Sequence, residues 1–281
     1  MIPPFTRTLV MGVVNVTPDS FSDGGLFLNA NDAAIHASRL IDEGADILDI
    51  GGESTRPATF SDNAPLDPEE EIRRVIPVIK RIRATHPEIT ISIDTYKSIV
   101  AAAALDEGVD IVNDISGMSY DPAMSSLVAQ RGCKVVLMHL PGRPRSVHPT
   151  THSADIISEI IDAFRGLLEA AKTSGVQDCN IILDPGIGFG KNAQQNLEIL
   201  RRLRELTKLG YPLLVAPSRK RFIGSILGTS DPSERLEGTA AAVAFCVAGG
   251  ADIVRVHDVK EMVKVVRVSD AIVRGWAPEE G

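Results

Sequence analysis

The side chains that could do chemistry sit at one kind of place along this chain, at or just beyond the ends of short apolar runs. Asn15 closes "TLVMGVVN", Glu53–Arg56 follow "DILDIGG", and Asp94 closes "TISID". Asn113 and Asp114 close "DIVND", His139 closes "KVVLMH" and Asp184 closes "NIILD". Ser218–Arg221 follow "PLLVA", and Arg255 and His257 lie in "DIVRVH". Strand ends do not ordinarily collect so many polar groups, because an unpaired buried one costs about 1–3 kcal/mol. A helix cap or a satisfied core group remains an open reading for Asp114 and His139 taken singly. Convergence of the full set points to a binding site.

The set sorts by chemistry. Asp94, Asn113 and Asp184 offer carboxylate and amide groups suited to a flat ligand edged with N–H donors and carbonyl acceptors, each charged hydrogen bond contributing about 1.5–3 kcal/mol. Arg255 and His257 flank Val256, so strand periodicity turns both the same way. With Arg56 and nearby helix starts they would form an anion pocket. Lys220 in "SRKRFIG" falls at a helix start, where the dipole disfavours a cation, which hints at function. No Ser/His/Asp or Cys/His nucleophile arrangement stands out, and "GESTRP" is not a G-x-S-x-G elbow.

Eight apolar runs must position these groups: 8–14, 46–50, 90–94, 110–114, 134–139, 180–184, 212–216 and 252–257. Between them lie helical patterns, expected over 32–43, 68–85, 98–107, 121–130, 155–173, 192–209, 220–248 (broken near 228–232) and 259–274. Most are followed by Gly or Pro, the usual helix stops. Strand–helix repeated eight times with right-handed crossovers predicts the α/β class and a single (β/α)8 TIM barrel over residues 1–281, with the chemistry where strands end. "PGIGFGK" matches neither Gly-rich phosphate fingerprint, which weighs against an open doubly wound sheet.

A formal net charge of −8 argues against nucleic acid or an anionic membrane as the main partner. Cys133, Cys179 and Cys246 form no metal or disulfide spacing, consistent with a reducing cytoplasm. Neither a signal-peptide pattern nor an apolar run of membrane-spanning length is seen.

The blocks "VMGVVNVTPDSFSDGG", "DILDIGGESTRP", "ISIDTYKS", "DIVNDISG", "VLMH", "ILDPGIGFGK", "SRKRFIG" and "IVRVHDV" resemble, in order, those of dihydropteroate synthase, from about Leu9 to about Met262. The resemblance implies a TIM-barrel transferase of folate biosynthesis, usually a homodimer and a sulfonamide target. It joins 6-hydroxymethyl-7,8-dihydropterin diphosphate to 4-aminobenzoate with Mg2+ assistance. Carried over by motif, Asp94, Asn113, Met138, Asp184, Lys220 and Arg255 would bind pterin. Asn15, Thr55, Arg56, Arg255 and His257 would bind diphosphate, with Asn15 on the metal. Phe21, Thr55, Arg56, Pro57, Phe189, Lys220 and Arg221 would form the aminobenzoate pocket, and Asp94, Lys220, Arg255 and Asp23 would act in catalysis. "NVTPDSFSDGG" would be a lid that hides a cationic intermediate from water, so mobile loops are expected after strands one and two.

The chain departs from the family pattern after "STRP", where Ala58 replaces the common Gly and the loop is about four residues longer, and at Arg221, where many relatives have Ser. Two other functions compete. A pterin-dependent methyl transferase to a corrinoid protein would need neither "TPDSFSDGG" nor "STRP". A non-catalytic paralogue would bind pterin without turnover.

Overall fold

The computed structural model describes residues 6–16, 26–53, 65–142 and 153–275. In chain order these form β1 (Leu9–Asn15), α1 (Leu26–Asp42), β2 (Ile47–Gly51), α2 (Pro68–Thr85), β3 (Thr90–Asp94) and α3 (Ser98–Asp106). Then come β4 (Ile111–Asp114), α4 (Ala123–Arg131), β5 (Lys134–Met138), α5 (Ile156–Thr173), β6 (Ile181–Asp184), α6 (Ala193–Arg201) and α7 (Leu203–Thr207). Last are β7 (Leu214–Val215), α8 (Arg221–Leu227), α9 (Leu236–Ala248), β8 (Ile253–Val256) and α10 (Val259–Arg274).

All the strand pairings are parallel, in the order β6-β5-β4-β3-β2-β1-β8-β7. The ring closes between its two ends through a bridge from Leu183 to Leu213, with the Leu183 amide donating to Pro212 O at 2.9 Å. The fold is therefore the expected TIM barrel.

Strand alternation divides the side chains between two cores. Val10, Leu48, Ile91, Val112, Leu137, Leu183 and Val254 face the helices. Met11, Ile47, Ile111, Val136, Ile182, Leu214 and Ile253 fill the barrel floor. Full burial of each such side chain contributes about 1.5–3 kcal/mol. Two residues further along, the same inward rows become polar: Asp49 follows Ile47, Asn113 follows Ile111, Asp184 follows Ile182 and Arg255 follows Ile253. The floor is thus an apolar plug, and the layer above it carries the chemistry.

The largest departures from the sequence pattern are in three elements. The first helix begins at Leu26 rather than Asp32, and Asp32 is an exposed helical residue rather than a start signal. The pattern over 192–209 breaks at Arg202, turning the fully buried Leu203 and Leu206 of α7 into the core. The seventh strand is only two residues long. The expected break after α8 is real: Gly228 ends that helix in the left-handed conformation, where a Cβ would be strained.

Candidate active site

Arg255 is the hub of the polar layer. Its Nε donates to Asp49 Oδ2 at 2.6 Å and its Nη2 to Asp94 Oδ2 at 2.8 Å. Asn113 Nδ2 donates to the same Asp49 oxygen at 3.0 Å. Two buried carboxylates thus share one guanidinium, and one oxygen of each, Asp49 Oδ1 and Asp94 Oδ1, has no hydrogen-bond partner among the described residues. Burial opposes the charge on Arg255, but Asp49 and Asp94 more than offset it and raise its pKa. Burial, only partly countered by Arg255, pushes Asp94 up to about 7.

Asp184 ends β6 and accepts from the Gly186 amide at 2.7 Å. Burial raises its pKa to about 6, with that hydrogen bond and the charges of Lys220, Lys191 and Arg255 acting against the rise. Gly186 has φ +69°, and a Cβ there would stand 2.2 Å from His139 O, so the turn beside Asp184 requires glycine. Beside it, with Met138 as the strand neighbour of Asp184, lies an apolar wall of Tyr96, Ile115 and Met138, with Leu140 and Phe189 packed on it.

Lys220 Nζ sits 4.4 Å from the centre of the Phe189 ring, a cation–π distance. It follows Arg219, a non-glycine residue held at φ +56°. The Arg219 Nε bond to Asp258 at 2.9 Å and its amide bond to Thr239 Oγ1 at 3.0 Å fix that strained turn. At the far side, His257 Nδ1 lies 3.0 Å from Ser218 Oγ.

Near Gly51 the absent side chain leaves a cradle. A Cβ there would lie 3.8 Å from Asp94 Oδ2 and 3.9 Å from Asn15 Oδ1. Hard oxygens around such a space suit a small divalent cation that keeps most of its water. Among the described residues there is no cluster of three or more His, Cys, Asp or Glu able to hold a metal alone.

The structure therefore gathers Asn15, Asp94, Asn113, Met138, Asp184, Phe189, Lys220, Arg255 and His257 at one mouth of the barrel. Arg221 is exposed at the first turn of α8. Phe21, Asp23, Thr55, Arg56 and Pro57, and with them the two expected mobile loops, lie outside the described residues. Asp114 takes the bland reading: it faces away and caps a turn, accepting from the Ser116 amide at 2.7 Å and the Met118 amide at 3.0 Å. His139 also belongs to packing, its ring held neutral by burial and by Lys191, with the pKa lowered to about 3. Sequence reasoning missed Asp49, which sits wholly buried beneath Arg255. The two-residue step from Ile47 was the available signal.

The raised Asp94 pKa has a testable sign. Below about pH 4 its carboxyl is protonated whether the chain is folded or not. Between about 4 and 7 only the folded chain holds the proton, so the group's contribution to stability declines as pH rises through that window. Asp94→Asn should therefore make the ligand-free protein about 1 kcal/mol more stable at pH 8 while removing activity, a function–stability trade-off. Urea unfolding at pH 5 and pH 8 checks this, and a variant less stable than wild type at pH 8 would refute it.

Fold and site together define a TIM-barrel enzyme whose mouth offers hydrogen-bond acceptors beside an apolar wall, suited to a flat heterocycle. Residues 11–257 match the family described as pterin binding enzyme. The dihydropteroate synthase of Synechocystis sp. is 48% identical over 269 residues, covering 95% of this chain and 91% of that one. The Clostridium difficile dihydropteroate synthase, solved in the presence of pteroic acid, is 47% identical with a TM-score of 0.89, covering 98% of this chain and 100% of its own. The Xanthomonas albilineans enzyme, solved with 4-aminobenzoic acid, is 41% identical with a TM-score of 0.87, covering 95% and 93%. The chain belongs to the pterin-binding enzyme family and, within it, to the dihydropteroate synthases, transferases of folate biosynthesis.

Proposed function

We propose that the barrel mouth joins 4-aminobenzoate to 6-hydroxymethyl-7,8-dihydropterin diphosphate with the residue roles that follow. A carbon–nitrogen bond forms at the pterin methylene as its carbon–oxygen bond to diphosphate breaks, and pyrophosphate leaves with the electron pair. The observation that carries this reading is the polar layer itself: acceptors on Asp184 and Asn113, oxygens on Asp49 and Asp94 without a partner among the described residues, and an apolar wall at Met138.

Asp184 accepts from the ring N–H and amino groups in a paired manner, Asn113 and Asp94 take the remaining edge, and Met138 packs on the ring. Arg255 and His257 face the diphosphate with Asn15, and Thr55 and Arg56 complete that pocket. Phe189, Lys220 and Arg221, with Phe21 and Pro57, surround aminobenzoate. The amine of aminobenzoate is a weak nucleophile, which favours a dissociative path with a cation at the methylene. In this reading the Asp94 carboxylate stabilises that positive charge, and Arg255 the departing negative one. Mg2+ would be held by Asn15 beside Gly51, with diphosphate and water as its other ligands, and bound there it would neutralise leaving-group charge.

We further propose that the chain works as one barrel domain, as a homodimer, in the cytoplasm. No described helix is long and apolar enough to cross a membrane.

The test is pyrophosphate release from pterin diphosphate with Mg2+, with and without 4-aminobenzoate. Mg2+-dependent release with stoichiometric dihydropteroate is expected, and slow release without aminobenzoate marks the dissociative first step. A folded protein that binds pterin but releases nothing would instead be a binding paralogue or a methyl-transfer relative.

A further inference from the structure

Lys191 is a buried cation that the proposed chemistry does not use. Its ammonium donates to three main-chain carbonyls, His139 O at 3.2 Å, Gly186 O at 2.9 Å and Phe189 O at 3.0 Å. One acceptor lies just beyond β5 and two lie in the turn beyond β6, so a single group ties two active-site connections together. Asn196 locks the same turn from α6, accepting from the Gly188 amide at 2.7 Å and donating to Lys191 O at 3.2 Å. That turn carries the Gly186 amide that orients Asp184, the Phe189 ring beneath Lys220, and Gly188, where a Cβ would stand 2.8 Å from Lys220 Cδ.

We propose that Lys191 is a positioning residue for both substrates, its three N–H donors holding the 185–190 turn in the shape that presents Asp184 to the pterin and Phe189 and Lys220 to aminobenzoate. The inference rests on the reaction assigned above. A methionine of similar length would fill the space but donate nothing, so each of the three carbonyls would lose a donor, Gly186 O keeping the Phe189 amide at 3.1 Å. The turn would then relax, and the groups it carries would shift with it.

The arrangement also depends on protonation. A neutral amine has two N–H groups for three carbonyls. Burial lowers the Lys191 pKa to about 7, against the opposing charges of Asp184 and Glu159 and alongside the like charge of Lys220. The other titratable group facing it, His139, is neutral in this range. As pH rises through neutrality one carbonyl loses its donor, and substrate binding weakens. Arginine at the same position would stay charged throughout.

The test measures pteroic acid affinity by calorimetry, and the KM of each substrate with kcat, from pH 6 to 9 for wild type, Lys191→Met and Lys191→Arg. Lys191→Met, folded by its cooperative thermal transition, is expected to bind pteroic acid about tenfold more weakly and to raise both KM values, with a smaller change in kcat. Lys191→Arg is expected to recover most of that affinity at pH 7 and to lose the alkaline rise in KM shown by wild type. A lower melting temperature with unchanged affinity would reduce Lys191 to a packing residue and overturn the proposal. If Lys191→Met does not fold, the pH comparison decides: the same alkaline rise in wild type and Lys191→Arg overturns it too. Because pteroic acid binding needs no turnover, failure of the assigned reaction would leave this result readable.

Discussion

Asp184→Asn should lower kcat/KM for pterin diphosphate by roughly a thousandfold, a loss of about 4 kcal/mol. The side chain already spends one interaction on the Gly186 amide at 2.7 Å. An asparagine would keep its carbonyl on that amide and turn its NH2 group toward the ligand. Two acceptors that should meet N–H donors would become one acceptor and one opposing donor. Each charged hydrogen bond contributes about 1.5–3 kcal/mol, and a buried donor left facing a donor adds a penalty of similar size. The loss should appear in pterin affinity, with the aminobenzoate KM little changed. In the wild type the carboxyl titrates near 6, so kcat/KM should fall as pH drops below that value. Steady-state kinetics of both proteins from pH 5 to 8 check this, and a loss of less than tenfold would take Asp184 out of the pterin-binding role.

Arg255→Met should damage both stability and turnover, and the two losses should separate with pH. The substitution leaves Asp49 and Asp94 without the guanidinium they share at 2.6 and 2.8 Å. Removing one partner of a buried charge network costs about 3–5 kcal/mol, which for a chain of this size lowers the melting temperature by roughly 10 °C. Asp94 is protonated in the folded chain below about pH 7. At pH 5 that carboxyl needs no counter-charge and only Asp49 is left without one, so the destabilisation should be smaller there than at pH 8. Activity should fall about a hundred- to a thousandfold where the variant is folded, as happens when one donor to a developing anion is removed. Adding Asp49→Asn should restore part of the stability at pH 8 and none of the activity. Equal destabilisation at both pH values would mean that Arg255 contributes packing rather than charge.

Much of this protein was legible in its sequence because the governing signals are local. Alternation of apolar runs and amphipathic stretches gave all eight strands, since each run buries itself against neighbours of the same kind wherever they lie. Glycine ended α4 and α8 as expected because a left-handed residue stops a helix regardless of its surroundings. The placement of Asp94, Asn113, Asp184 and Arg255 at one mouth follows from parallel strands all ending on the same side. The ordered motifs did the rest for family and reaction.

Tertiary structure alone decided the partners. Asp49 and Arg255 are 206 residues apart, and only barrel closure brings them to 2.6 Å. Sequence left Asp114 open between a cap and the site, and set Asp184 among the ligand-binding groups. The fold turns one outward to cap a loop and the other inward to the barrel mouth, because they occupy opposite parities of strands in a fixed register. The strained Arg219 and the three carbonyls around Lys191 have no sequence signature, since an ordinary residue adopts such a conformation or burial only when packing from distant elements holds it there. Periodicity is written into the chain one residue at a time, whereas the energy of a buried charge depends on everything within a few ångströms of it, and that neighbourhood exists only in the folded protein.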